Sequence, residues 1–359
     1  MKLAIISTHP VQYAAPVFQL LAKKMELKVF YTAGIGSTYD KEFQRDIHWD
    51  IPMLTGYSYE WIVDRTRIAQ VSSYQPQCLF IYGWAPKGHL QLLRYFKNKT
   101  KIVFRGDSTL LKQSPWWKDK LKELALTWVY QHVNRAVYAG THNKAYFLKH
   151  GLQEKQLTFA PHAIDNNRFS CQQPTSSNLR DQLSLLETDT LVLFAGKFNV
   201  NKNVLGLLRA FIEISIKNSH LLFVGNGILE NQLKREAQPY NNIHFLPFQN
   251  QQAMPGIYQA CDLFCLPSKN ESWGLSINEA MACGKAVLVS DQCGAAVDLV
   301  KTGNGRIFKS NEPEDLKRQL KYLLCQPLFL KEAGKHSFEI IHNWNFNVQV
   351  ENIIKSLYA

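Results

Sequence analysis

Short apolar runs alternate with amphipathic stretches along the first half of the chain. The apolar runs predict strands at residues 2–7, 27–31, 78–81, 101–105, 135–139 and 157–160. The stretches with apolar residues at helical spacing predict helices at 15–24, 88–97, 117–133 and 143–150. Nearly continuous apolar strands that alternate with helices are typical of a parallel sheet covered on both faces.

The second half repeats the alternation. Strands are predicted at 190–195, 220–224, 243–245, 263–266, 286–290 and 305–308. Helices are predicted at 204–217, 228–237, 252–260, 276–282, 312–324 and 328–341. Residues 161–189 are polar and irregular and predict the inter-domain linker and the entry to the second domain; Gln172, Gln173 and Pro174 are part of this stretch. Because 359 residues exceed the usual size of one hydrophobic core, we expect two Rossmann-like α/β domains.

Composition narrows the class of protein. The apolar and charged fractions, 46% and 19%, are those of a soluble globular protein, and no apolar run is long enough to span a bilayer. The apolar run at 2–7 favours a buried strand over a signal peptide. The seven cysteines are scattered singly, which favours a reducing cytosol over a disulfide framework or a zinc site.

Nearly all of the net charge of +12 lies in the first half of the chain, which should attract polyanions. A basic, aromatic segment opens the helix expected at 117–133, and its members are Trp116, Trp117, Lys118, Lys120 and Lys122. Tryptophan with lysine suits an anionic membrane surface. The alternative is a core-facing helix with a solvated basic face. Nucleic acid is not expected as a partner, because no nucleic-acid-binding motif accompanies these residues.

The most informative stretch is 271–284, in which Glu271 and Glu279 are separated by seven residues. It predicts a strand-end loop that turns into a helix, whose N-terminal N–H groups and dipole favour an anion. Glu271 would lie in the loop and Glu279 about two turns into the helix. One carboxylate near the phosphate side and one further along the ligand would suit a sugar diphosphate, which has hydroxyls on either side of its phosphates. The alternative is an amphipathic helix whose glutamates face solvent.

This two-glutamate spacing, within the sequence LPSKNESWGLSINEAMACGKAVLVSD, resembles the donor-binding signature of the family-four glycosyltransferases. The resemblance implies the GT-B fold, in which two Rossmann-like domains face each other across a cleft. It implies an acceptor-side domain at 1–170 and a nucleotide-sugar-binding domain at 171–340. Residues 341–359 would form a helix that returns to the first domain, with 345–357 as the candidate helix.

The resemblance also implies which residues hold the donor. Lys202 matches the family lysine that grips the diphosphate, and Lys197 stands where an arginine is common, so its grip would be less directional. Glu271 would hold the sugar hydroxyls and Glu279 the ribose. The remaining donor-binding candidates are Gly196, Gly225, Asn226, Gly227, Phe248, Gly274, Leu275 and Ser276, with Phe248 near the base.

The acceptor side resembles a subgroup of polysaccharide glycosyltransferases through residues 7–13, 49–52 and 56–57. Within it, His9 could bond the donor sugar or phosphate, or be satisfied by backbone. Asp107, which follows a predicted strand, could orient a hydroxyl or cap the next helix. His162 is expected at the hinge, and Trp49 and Asp50 are expected to shape the acceptor side.

The function implied by the resemblance is transfer of a sugar, with retention, from a nucleotide-diphosphate sugar to a glycan or lipid-linked acceptor. We expect no cofactor and no metal, because Asp-x-Asp is absent and two lysines can serve as the cation. Assembly of lipopolysaccharide or capsule at the inner membrane face would explain the basic first half and a cytoplasmic, peripheral location. Open alternatives are a GT-B sugar-nucleotide isomerase or phosphorylase, or a non-catalytic sugar- or polyanion-binding protein.

Overall fold

The computed structural model describes residues 1–33, 39–62, 65–85, 87–112, 115–173 and 175–359, and Pro174 of the expected linker lies outside them. Two compact units make up the chain. The first consists of Met1–Ser37, Ile51–Ala163 and Phe346–Ala359, and the second of Thr38–Asp50 and Ile164–Asn345. The division therefore falls after Ala163, not Ser170, and a short segment of the first half belongs to the second unit.

Secondary structure is distributed over both units as follows. The strands are β1 (Lys2–Ser7), β2 (Glu26–Tyr31), β3 (Tyr39–Asp40), β4 (Arg45–Asp46), β5 (Ser58–Trp61), β6 (Cys78–Tyr82), β7 (Lys101–Arg105), β8 (Arg135–Tyr138), β9 (Leu157–Phe159), β10 (Thr190–Ala195), β11 (Ser219–Val224), β12 (Ile243–Leu246), β13 (Leu263–Leu266), β14 (Ala286–Ser290) and β15 (Gly305–Phe308). The helices are α1 (Ala15–Ala22), α2 (Arg67–Ser73), α3 (Lys87–Phe96), α4 (Trp116–Tyr130), α5 (Thr141–Lys149), α6 (Asn166–Ser170), α7 (Thr175–Gln182), α8 (Val204–Ile214), α9 (Glu230–Ala237), α10 (Met254–Ala260), α11 (Leu275–Ala282), α12 (Ala296–Leu299), α13 (Pro313–Leu324), α14 (Pro327–Ile341) and α15 (Phe346–Tyr358).

The first unit is built on a parallel sheet with the strand order β5-β2-β1-β6-β7-β8-β9. Alternate residues of its central strands enter two hydrophobic clusters, one on each face: Ile6 lies in one and Ile5 in the other. The last helix, α15, completes the second cluster with Val350, Ile353 and Leu357. Its bounds differ by one residue at each end from the helix predicted at 345–357.

The second unit is built on a parallel sheet with the order β12-β11-β10-β13-β14-β15. Every residue of β10 is buried, as its unbroken apolar sequence predicts for a strand covered on both faces. The loops that leave the carboxyl ends of β10, β11, β12 and β13 therefore emerge at one edge of this sheet.

The sequence interpretation was wrong that residues 161–189 are irregular, because they contain α6 and α7. From Ile164 onward they belong to the second unit, so this stretch does contain the entry to the second domain. The Asp165 carboxylate caps α6 by accepting a hydrogen bond from the Arg168 N–H, and the Phe169 side chain is fully buried. The interpretation also missed β5 and the hairpin formed by β3 and β4, which are short and lack a continuous apolar run. Among the described residues, no helix is both long and apolar enough to cross a membrane.

Candidate active site

Two loops at the carboxyl edge of the second sheet bring Lys202 and Glu271 together. Lys202 lies between β10 and α8, Glu271 lies between β13 and α11, and their side chains form an ion pair. The side chains are only 21% and 19% exposed, so the pair is partly shielded from water. The structure thus joins two residues that the sequence placed in separate donor-binding motifs.

Backbone contacts hold these two loops in register. The Asn201 side-chain amide donates to the Asn270 carbonyl at 2.7 Å, and the Lys269 N–H donates to the Asn201 carbonyl at 2.7 Å. The Asn199 side chain accepts from the Lys202 N–H at 2.9 Å. Both groups of the peptide between Asn201 and Lys202 are therefore hydrogen-bonded, which favours a fixed position for the loop that carries the Lys202 ammonium.

Gly274 sets the turn from the Glu271 loop into α11. Its φ is +97°, and an added Cβ would stand 2.9 Å from Leu266 Cδ2. Only glycine adopts this conformation at low cost, so the residue fixes where α11 begins. The N–H groups of Leu275 and Ser276 lie in the first turn of the helix, where the dipole favours an anion.

Glu279 lies closer to the helix start than expected. It is the fifth residue of α11, which begins at Leu275, so it lies little more than one turn from the helix N-terminus. The carboxylate is 4% exposed, and its Oε2 accepts a 2.8 Å hydrogen bond from the Tyr258 hydroxyl. Neither glutamate of the motif faces solvent freely, which excludes the alternative of an ordinary amphipathic helix.

The glycines of the Gly225-Asn226-Gly227 turn have a packing role. Gly225 and Gly227 have φ values of +141° and +155°, and a Cβ at Gly225 would collide with the Gly196 carbonyl oxygen. The Phe198 N–H donates to the Asn226 carbonyl at 2.9 Å. These glycines let two neighbouring loops approach each other, whereas close approach to a nucleotide stays a prediction.

Lys197 is paired with two carboxylates that the sequence interpretation did not connect to it. Its Nζ lies 3.1 Å from Asp40 Oδ2 and 2.5 Å from Glu42 Oε2, both in the segment Thr38–Asp50. Burial acts against the charged ammonium, but the hydrogen bonds to Glu42 and Asp40 outweigh it and raise the pKa of Lys197. Burial also acts to raise the pKa of Asp40, yet hydrogen bonds from Phe43 and Glu42 N–H groups and from Lys197 lower it.

Phe248 is covered by the same segment. Its ring lies 5.0 Å from that of Phe43 and 6.2 Å from that of Trp49, and the Arg45 guanidinium lies 5.1 Å from its centre. The Asn226 side chain accepts from the Phe248 N–H at 2.7 Å. Trp49 and Asp50, expected on the acceptor side, therefore belong to the second unit. No pattern in the sequence predicts these contacts, because they join residues about 200 positions apart in the chain.

The remaining candidates, His9, Asp107 and His162, belong to the first unit. His9 is exposed, and its Nδ1 lies 3.0 Å from the Thr8 hydroxyl, so it is not satisfied by backbone as the alternative supposed. Asp107 is exposed and does not cap α4, whose N-cap is Pro115.

His162 packs against the buried guanidinium of Arg105 at 3.4 Å in the first unit. Burial, with the neighbouring Arg105 charge, lowers the pKa of His162 well below its usual value, so the ring is neutral. Arg105 also donates to the Ala160 carbonyl at 3.0 Å. These bonds fix residues 160–162, which lie just before the point where the chain passes from the first unit into the second.

Helix α4 turns an apolar row outward. Trp116 is 79% exposed, and the other exposed members of the row are Trp117, Leu121, Leu124 and Trp128. Lys118, Lys120 and Lys122 are exposed on the same helix, while Leu126, Val129 and Tyr130 face the core. The helix thus faces the core on one side and its lysines are solvated, as the alternative expects, but Leu121, Leu124 and Trp128 lie on the exposed side.

Metal ligands were not expected, and within the described ranges no three His, Cys, Asp or Glu side chains are placed to hold an ion. The carboxylates of the candidate site are instead engaged with lysines or with the Tyr258 hydroxyl. Metal independence itself stays a prediction.

Comparison with known proteins identifies the second unit. Residues 175–338 match the family model described as "Glycosyl transferases group 1". D-inositol 3-phosphate glycosyltransferase of Rhodococcus erythropolis is 28% identical over 189 residues, 49% of this chain and 43% of that protein. The GDP-mannose-dependent monoacylated alpha-(1-6)-phosphatidylinositol monomannoside mannosyltransferase of Corynebacterium glutamicum is 26% identical over 211 residues, 55% of each protein.

The chain thus spans about half the length of the curated relatives it matches. Anabaena Alr3699/HepE in complex with UDP is similar over 100% of both chains, with a TM-score of 0.80 and 16% sequence identity. At that identity the likeness establishes the fold. The resemblance to glycosyltransferases and the α/β GT-B fold expected from the sequence are both confirmed.

Proposed function

We propose that this chain, which belongs to the group 1 glycosyl transferases over residues 175–338, transfers a sugar from a nucleoside diphosphate sugar to a glycan or lipid-linked acceptor. The observation that carries the proposal is the Lys202–Glu271 pair beside the first turn of α11. It unites a cation for a diphosphate, a carboxylate for sugar hydroxyls and free helix N–H groups in one place.

Departure of the diphosphate is the step these groups would favour. Negative charge develops on the leaving oxygen as the bond to the sugar breaks. Lys202 and the N–H groups of Leu275 and Ser276 would stabilise that charge without reorganising, which lowers the barrier. Glu271 would hold the sugar hydroxyls, and the anomeric configuration would be retained. The ammonium supplies the positive charge, so the reaction would need no metal ion.

Glu279 would hold the ribose. Its carboxylate is fixed by the Tyr258 hydroxyl, and a carboxylate can accept hydrogen bonds from two vicinal hydroxyls. Phe248 and the Gly225–Gly227 turn would lie against the nucleoside. Relatives that bind UDP or use GDP-mannose differ in base, so the base has to be found by experiment.

The exposed row of α4 would place the enzyme on an anionic bilayer. The row contains two adjacent tryptophans followed by leucines, with lysines beside them, and this combination suits the level of the lipid headgroups. A relative that modifies a phosphatidylinositol mannoside acts on a lipid acceptor. We therefore place the reaction in surface polysaccharide assembly at the inner face of the membrane, with the first unit receiving the acceptor.

Thermal unfolding with UDP, GDP, ADP, CMP and dTDP, each with EDTA, tests the proposal. A ligand that binds only the folded chain at 100 times its Kd adds about 2.7 kcal/mol. We expect one nucleoside diphosphate to raise the melting temperature clearly and CMP to have no effect. If none does so with EDTA or with magnesium, the chain is not a nucleotide-sugar enzyme and a non-catalytic binding role replaces this proposal.

A further inference from the structure

The segment Thr38–Asp50 lies against the loops at the carboxyl edge of the second sheet. Its hairpin, β3 paired with β4, contacts Lys197 after β10 and Asn226 after β11. Its aromatic residues contact Phe248 after β12. These are the loops to which the proposed function assigns the donor, so the segment and a bound donor would share that edge of the sheet.

The contact with Lys197 is electrostatically unbalanced. One ammonium faces the carboxylates of Asp40 and Glu42, so the three groups together carry a negative charge. Lys202, by contrast, faces one carboxylate, that of Glu271, among the residues that the structure describes. A diphosphate brought to Lys197 would meet two like charges within a few ångströms, which at this separation is unfavourable. The donor and the two carboxylates therefore compete for the same N–H donors.

The segment has a second anchorage that does not involve Lys197. Asp50 accepts from the Gln252 N–H at 3.1 Å, and its carbonyl accepts from the Gln252 side chain at 2.8 Å. The Asn250 side chain donates to the His48 carbonyl at 2.5 Å. This end can stay attached while the hairpin end leaves, which is the arrangement of a strap.

We propose that Asp40 and Glu42 imitate the donor diphosphate at Lys197 and that donor binding displaces them. The proposal rests on the proposed function and adds a control of donor affinity to it. An ammonium has three N–H donors, which can serve two carboxylates or the oxygens of a diphosphate but not both sets. The hairpin thus acts as an internal competitor that pairs with Lys197 until a donor displaces it.

The test compares the full chain with the Asp40→Asn/Glu42→Gln variant by calorimetric titration with the best-binding nucleoside diphosphate. Removing two competing carboxylates should tighten Kd about twofold to thirtyfold, since exposed ion pairs contribute about 0.2–1 kcal/mol each. The gain should shrink as NaCl is raised, because salt screens charges at the surface. Glu332→Gln/Glu339→Gln, on the exposed side of α14, matches the change in net charge and should leave Kd unchanged.

The Asp50→Asn variant is a second test of the proposal. It weakens the bond between Asp50 and Gln252 and leaves the contacts of Lys197 unchanged. Because the hairpin is then held less firmly, Kd should also tighten. The proposal would be overturned if the folded Asp40→Asn/Glu42→Gln variant bound the nucleotide no more tightly than the unsubstituted chain. It would also be overturned if the α14 control variant gained as much affinity as the Asp40→Asn/Glu42→Gln variant. Failure of every nucleotide to bind the unsubstituted chain and all variants would instead overturn the proposed function.

Discussion

The Tyr258 hydroxyl donates a 2.8 Å hydrogen bond to Oε2 of Glu279, and both side chains are buried in the second unit. Glu279 is thus held in one orientation before any ligand arrives. A buried carboxylate that loses a donor is left under-solvated, which costs about 1–3 kcal/mol. If this carboxylate binds the ribose, its orientation contributes to nucleotide affinity.

Tyr258→Phe should therefore weaken nucleotide binding about threefold to tenfold, because Glu279 loses the bond that orients it. Glu279→Ala should weaken it further. Titration calorimetry measures both, with Tyr240→Phe on the surface as the control. Unchanged affinity in Glu279→Ala would remove the ribose role of this residue.

Gly225 should tolerate a methyl group much less well than Gly83. Both have positive φ, but a Cβ at Gly225 collides with the Gly196 carbonyl, whereas a Cβ at Gly83 meets nothing within 4 Å. Gly83→Ala should cost about 1 kcal/mol of strain and Gly225→Ala more than about 2 kcal/mol. Urea unfolding measures both, and equal losses would show that the loop packing around Gly225 is unimportant.

The exposed tryptophans of α4 should matter for membrane binding and not for donor chemistry. Trp116→Ala/Trp117→Ala should reduce co-sedimentation with phosphatidylglycerol-containing vesicles by at least about tenfold, since interfacial binding follows buried apolar area. Hydrolysis of the donor in solution should be unaffected. Leu186→Ala/Leu328→Ala, which removes exposed apolar side chains from the second unit, is the matched control. Undiminished vesicle binding would leave α4 without a membrane role.

Where apolar residues run unbroken, the sequence was sufficient to predict the fold. The strands β1 and β10 match their predicted bounds, because each contains a continuous apolar run, residues 3–6 and 191–195, that is buried on both faces of its sheet. The short helix α6 escaped prediction, since five residues carry too little periodicity. Whether an element could be predicted thus depended on its length as well as on its composition.

The candidate site was only partly predictable for a different reason. Glu271 and Lys202 could be singled out because each lies in a local motif with its own chemistry. Asp40 and Glu42 could not, since a polar hairpin has no apolar pattern and its partner Lys197 is far away in the sequence. Long-range ion pairs leave no signal in a single sequence.

Turnover of the Lys202→Ala variant tests the central claim most directly. Release of nucleoside diphosphate from the matching sugar donor should proceed in the unsubstituted chain with EDTA present, and Lys202→Ala should lower kcat by more than about tenfold, as expected for losing a group that stabilises developing charge. Lys335→Ala, an exposed lysine on α14, should behave like the unsubstituted chain. A Lys202→Ala variant that turns over at the normal rate would contradict the assignment of the diphosphate to this loop.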